Sequence, residues 1–208
     1  MTQRGNRREL LADAAIEVLA REGGRGLTHR AVDREAGVPE GTAKNYHPTR
    51  SALFRAIARQ MSEQHVASLR ELAEHAPAEL TPDDVAALYA AMLRRMTTSA
   101  RAHFLALFEL HLEAVRDAEV RAALGEIARA NADTAVRLHG AVGRRMSRRG
   151  AGLLDAGLLG AALSVLSLPP EVVADSGFDD PEVLARALLS LGSVEDDPVV
   201  GVLRGHAS

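Results

Sequence analysis

The chain contains no cysteine and no tryptophan, and its 208 residues include a single lysine, Lys44. Without cysteine, disulfides and thiolate metal sites are excluded and a reducing compartment is permitted. Aromatic residues make up only 3% of the chain, so the apolar 47% is largely alanine, leucine and valine, the makings of packed helices. No window of five or more residues alternates β-branched with polar side chains, which leaves almost no signal for strands. No run of eighteen uncharged apolar residues exists. The longest candidate, 152–168, is interrupted by Asp155, so no membrane partner is expected. The first ten residues hold arginine and no apolar run of signal-peptide length, and a soluble, cytoplasmic protein is the expectation. Phosphate-loop, GxSxG, HExxH and strand-linked GxGxxG patterns are all missing. The acid pairs Asp83–Asp84 and Asp179–Asp180 stand at helix starts, where carboxylates complement the helix dipole. The sequence therefore offers no catalytic machinery and no cofactor or metal site.

What is present is unevenly charged. The net charge of −3 divides into a basic start and an acidic remainder. Residues 1–60 carry eleven Lys and Arg against seven Asp and Glu, and the rest carries fourteen Arg against twenty-one acids. A basic head on an acidic body suits contact with a polyanion at one end, although chance unevenness in an arginine-rich chain has the same appearance.

Periodicity predicts an all-α protein of about nine helices. Leu10, Leu11, Ala14, Ala15, Val18 and Leu19 form one face of a first helix over 7–21, stopped by Gly23 and Gly24. Thr28 caps a second, ending near Ala36, and Gly37 sits where a left-handed turn residue belongs. Pro39 opens a third helix over about 39–47. Thr49 caps a long fourth from Arg50 to about His75, closed by Pro77. Thr81-Pro82-Asp83-Asp84 starts the fifth. Further helices are expected over 102–115, 117–148, 153–168 and 181–191. A Gly- and acid-rich loop should follow Pro169–Pro170, and a poorly ordered tail should begin at Gly192.

Three short helices with a glycine turn between the second and third describe a helix-turn-helix. Ala31, Val32 and Ala36 supply a small apolar face, and Val38 can fill the gap between helices. The third helix has almost nothing to bury, so its polar residues gain by facing outward, toward base edges and phosphates. A surface helix of a bundle that binds no DNA remains open at this point. Residues 7–61 resemble the DNA-binding head of the TetR family of bacterial regulators. The matching anchors, in order, are Ala14-Ala15, Leu19, Gly23 or Gly24, Leu27-Thr28, Ala36-Gly37-Val38, Gly41-Thr42, Asn45-Tyr46, and Arg50 with Leu53.

The resemblance implies a head over 1–49 and a ligand-binding, dimerising body over 50–208. Its expected DNA contacts are Thr28, Arg30, Gly41, Thr42, Ala43, Lys44, Asn45, Tyr46, His47 and Arg50. Thr42, Lys44 and Asn45 lie nearest the bases, and Gly41 within the helix would let the backbone approach. Arg4, Arg7 and Arg8 form a solvated basic arm in reach of flanking DNA. Three positions depart from the family. Asp33 stands where Ala is usual, with Arg30 one turn away as a partner. His47 replaces the usual aromatic, and Arg50 replaces a phosphate-contacting Lys.

In the body, the resemblance implies an effector pocket among helices 4 to 7, with Tyr89, Met92, Met96, His103, Phe104, Phe108, His111 and Arg137 as candidates. It also implies a four-helix dimer bundle built from Leu154, Gly157, Leu158, Ala161, Val165, Leu184 and Leu188, with a plain core as the alternative reading of those stripes. The expected partners are a double-stranded DNA operator, a small-molecule effector of unknown identity and a second copy of the chain. Repression follows from the resemblance; activation and a DNA-free ligand-binding or adaptor protein of the same fold stay open.

Overall fold

The computed structural model describes residues 3–74 and 79–192, which form ten helices and no strand. These are α1 (Gln3–Gly26), α2 (His29–Glu35), α3 (Thr42–Tyr46), α4 (Arg50–Glu74), α5 (Pro82–Thr97), α6 (Arg101–Ala114), α7 (Ala118–Ala141), α8 (Arg148–Ser167), α9 (Pro170–Asp175) and α10 (Pro181–Gly192). The expected helix stop at Pro77 and the tail after Gly192 lie outside the described residues. Two units emerge from the packing. One holds α1 to α4, α6 and α7 as far as Ile127; the other holds α5, α7 from Ala128, and α8 to α10.

Four boundaries differ from the sequence expectation. The first helix begins earlier and continues past a kink at Gly23 (φ 66°) to Gly26. The third is shorter, because Gly41 (φ 90°) precedes it as its N-cap in a left-handed conformation that residues with a Cβ rarely adopt. The seventh stops at Ala141, ahead of Gly143 (φ 72°), and the eighth starts early because the Ser147 hydroxyl accepts from Gly150 N at 2.9 Å. The expected loop after Pro169 contains α9, opened by Pro170 at a position where a missing N–H costs nothing.

In the first unit, α1 packs against α2, α4 and α6. Leu11, Leu19, Leu27, Leu53, Phe54, Ile57 and Met61 form its fully buried centre. At this core's edge, α2 and α3 are joined through one side chain. Asp33 is only 3% exposed. Its Oδ2 accepts from Gly41 N at 2.7 Å and its Oδ1 from Ala43 N at 2.6 Å. The expected Arg30–Asp33 pair does not form; Arg30 Nε pairs with Glu40 at 2.6 Å, both well exposed. The reason is geometric. The Gly37 turn (φ 62°) folds α3 back over the inner face of α2, and the first N–H groups of α3 have no partner within their own helix. A carboxylate on α2 meets them with charge-assisted bonds.

His47, the C-cap of α3, is 6% exposed, and its Nε2 has no partner among the described residues. His29 Nε2 donates to the His47 carbonyl at 2.6 Å. Burial, and then the charges of Arg59, Arg8 and His29, hold the His47 imidazole below the ordinary histidine value of 6.5. In the second unit, α10 packs on α5 and α8, and α5 on α8. Arg94 pairs with Glu182 across α5 and α10. A Cβ at Gly157 would stand 2.7 Å from Leu188 Cδ2, so glycine there permits α8 and α10 to approach.

Two outcomes follow. Asp33→Ala strands two amides at the start of α3 and lowers stability by about 2 kcal/mol in chemical unfolding; a loss under about 0.5 kcal/mol contradicts the cap. For His47, the unfolded chain takes up a proton near pH 6.5 that the folded chain resists. Stability is therefore complete above that pH and falls as pH drops below it, at up to about 1.4 kcal/mol per unit. His139 has the same sign. His47→Phe should flatten the decline between pH 7.5 and 5.5, and an unchanged slope in that variant contradicts the assignment.

Candidate functional site

The α2–turn–α3 segment presents a polar outer face. Lys44 and Asn45 are exposed, and Thr42 and Tyr46 flank them half-buried. Thr42 donates its hydroxyl to the Pro39 carbonyl at 2.6 Å, which leaves its oxygen free to accept. Ala43 and His47 turn inward and are buried, so these two expected contacts serve packing instead. Gly41 offers its amide to Asp33 and therefore not to a phosphate. Thr28 caps α2, with Oγ1 accepting from Ala31 N at 3.2 Å. Arg30 stays exposed while paired with Glu40.

Arg50 opens α4 as expected, but its guanidinium is engaged. Nη2 donates to the Gly24 carbonyl at 2.5 Å, and the group lies 4.8 Å over the Phe54 ring. Arg7 and Arg8 are exposed, on α1 itself and not on an arm before it; Arg4 lies outside the residues whose side chains are described. The surface is thus narrower than the sequence suggests. Lys44 and Asn45 form its centre, flanked by Thr42, Tyr46, Thr28 and Arg30.

The expected pocket residues fall in different units. His103, Phe104, Phe108 and His111 belong to the first. His103 meets Phe104 edge-on at 5.8 Å, and His111 is exposed. An open groove of about 400 Å³ in this unit includes His103 with Asp13, Glu17 and Glu35. Tyr89, Met92, Met96 and Arg137 belong to the second. Tyr89 and Met96 are buried, Met92 is half-buried, and Arg137 is exposed and donates to Thr134 Oγ1 at 3.1 Å.

The second unit also holds a buried residue that the sequence reading missed. His139 is 3% exposed, its ring centroid is 6.1 Å from that of Tyr89, and its Nε2 lacks a partner among the described residues. Burial and then Arg144 lower its pKa. The Tyr89 phenol is pushed up to about 12 by burial and then by the Asp155 charge. Asp155 accepts from Asn131 Nδ2 at 2.8 Å. The signal was available: counting on from Val120, Leu124 and Ile127 at helical spacing reaches Asn131, Ala135 and His139.

The residues expected at a dimer interface are placed inside the chain. Leu154, Leu158, Ala161, Leu184 and Leu188 are buried, Gly157 meets Leu188, and Val165 is half-buried. The opposite face of α8 carries Leu153, Ala156, Gly160 and Leu163, all exposed, and α10 exposes Val183 and Ala187. Being apolar on both faces, α8 has the length and mean hydropathy (1.5) of a membrane-crossing helix, with only a third of that stretch buried. The α8–α10 pair thus keeps a strip of small and apolar residues uncovered.

Three comparisons bear on these sites. Residues 80–194 match the family described as tetracyclin repressor-like, C-terminal domain. Among solved structures, a TetR family member from Streptomyces coelicolor A3 is 29% identical, with a TM-score of 0.64 over 89% of this chain and 97% of that one. The multidrug binding protein EbrR, in complex with ethidium, is also 29% identical, with a TM-score of 0.64 over 89% of this chain and 98% of that one. A transcriptional regulator from Rhodococcus sp. Rha1, 20% identical with a TM-score of 0.63 over 90% and 94% of the two chains, shares the fold. No curated protein sequence matches the chain. With its C-terminal match spanning more than half of its residues and a helix-turn-helix at its start, the chain belongs to the TetR family of transcriptional regulators.

Proposed function

We propose that this chain is a cytoplasmic repressor, not an enzyme, that binds a palindromic operator as a homodimer and is released by a small-molecule effector. The observation that carries the DNA-binding reading is the outward pair Lys44 and Asn45 on a helix anchored by Asp33. Asparagine suits the adenine edge and lysine suits guanine or phosphate in a major groove. A helix of five residues has little stability alone, so its reading face depends on the cap from α2.

Dimerisation is supported by the uncovered strip on α8 and α10, not by the buried stripe the sequence suggested. Leu153, Leu163 and Val183 are each about half exposed, at 54%, 46% and 53%. Ala156 and Gly160 beside them allow a second copy's helices to come near. A two-fold dimer suits an operator of two symmetric half-sites. Effector binding is supported by the likeness to EbrR, whose complexes hold ethidium and imidazole. The effector acts by shifting the population of head spacings, because only three residues separate α3 from α4, which transmits movement to the head.

The salt dependence of binding to a random-sequence duplex tests both halves of this reading. Lys44→Ala should weaken binding at fixed salt and reduce the slope of log K against log salt by about 0.9. Leu163→Glu, remote from the head in sequence, should yield monomers in sedimentation and about halve the slope. A slope unchanged in the first variant removes Lys44 from the interface, and a stable dimer in the second removes the α8 strip.

A further inference from the structure

The α5–α7–α8 interior of the second unit contains polar groups that packing alone does not require. Apart from Tyr89 and His139, the buried side chains among the described residues of this unit are apolar. A buried ring nitrogen with no hydrogen bond costs stability, and leucine fills a comparable volume without that cost. The His139 nitrogen is nevertheless there, beside the Tyr89 ring. The Asp155 charge acts on the Tyr89 phenol, and the carboxylate accepts from Asn131 Nδ2 at 2.8 Å. An imidazole on α7 and an aromatic ring on α5 thus lie side by side here, and the charge of a half-buried carboxylate on α8 acts on the phenol.

We propose that Tyr89, His139 and Asp155 form the recognition point for the effector, and that the effector is an aromatic organic cation carrying an N–H or O–H group. This rests on the effector-released reading above and names the chemistry of its ligand. The carboxylate selects positive charge and disfavours anions. The Tyr89 face attracts a cation through the ring quadrupole, more strongly where water is excluded. The imidazole supplies direction: Nε2 donates or accepts according to its tautomer, so an amine or hydroxyl on the ligand completes it. Burial keeps His139 neutral, so it does not repel the cation. A metal ion is a poorer occupant, because among the described residues no three His, Cys, Asp or Glu side chains converge. A wholly apolar ligand would leave the imidazole nitrogen unsatisfied.

The test is fluorescence titration of the full chain with proflavin, a flat aromatic cation bearing amino groups, beside the uncharged tricyclic acridone. Thermal unfolding and duplex-DNA affinity are measured on the same samples. Proflavin should bind saturably, one per chain, and acridone about ten-fold more weakly. His139→Leu and Asp155→Asn should each weaken proflavin about ten-fold. His139→Leu should unfold at an equal or higher temperature than the unaltered chain, so its lost binding is not lost folding. Proflavin binding that is absent, that acridone matches, or that both variants retain in full overturns the proposal. Proflavin that releases DNA equally from all variants overturns this site while leaving effector release intact. Proflavin that binds as described but leaves DNA affinity unchanged upholds the site and defeats the release reading.

Discussion

The carboxylate of Asp33 holds α2, the Gly37 turn and α3 together. Helix α3 has five residues, begins after a glycine in a left-handed conformation, and buries only Ala43 along its length. Neither length nor apolar contact can keep so short a helix in place. What keeps it is the pair of bonds from Gly41 N and Ala43 N to one buried side chain on α2, closed around the Gly37 turn. His47 completes the attachment at the other end, buried by its side chain and tied by its carbonyl to His29. With both ends fixed, the α3 backbone holds Lys44 and Asn45 facing outward. Gly41, expected to let the DNA backbone approach, instead supplies the left-handed turn and an amide for Asp33, and Ala43 is fully buried.

The second unit is organised by a helix with two apolar faces. The inner face of α8 packs against α5 and α10, where Gly157 admits Leu188, and the outer face stays uncovered. This division accounts for a helix with the length and hydropathy of a membrane span. The inner stripe makes the core, and the outer strip stays exposed. The polar cluster of Tyr89, His139 and Asp155 lies within this unit, and the same helix α8 supplies both Asp155 and the outer strip.

The sequence was most legible where the deciding interactions are local. Thr28 capping α2, the Gly37 turn, and the Thr81 start, where Thr81 and Asp84 bond reciprocally at 2.8 and 3.2 Å, each depend on residues within four positions of one another. It was least legible where a contact spans a fold. Asp33 reads as a surface acid beside Arg30 until the turn brings amides eight and ten residues away over it. Arg50 reads as a free phosphate contact until the kinked end of α1 offers it the Gly24 carbonyl. A helical wheel shows that α8 has two apolar faces but not which one meets α10. That is a matter of tertiary packing, and it moved the expected interface residues into the core. The short α9 escaped notice because six residues carry too little periodicity.

The central claim is that two copies of this head read DNA together through α3. Selection of bound duplexes from a random library by the full chain tests it most directly. The account predicts enrichment of a palindrome whose half-sites are centred about one helical turn, or a multiple of it, apart, and loss of that enrichment when Lys44 and Asn45 are both replaced by alanine. Recovery of no preferred sequence, or of a lone half-site without a symmetric mate, would contradict it.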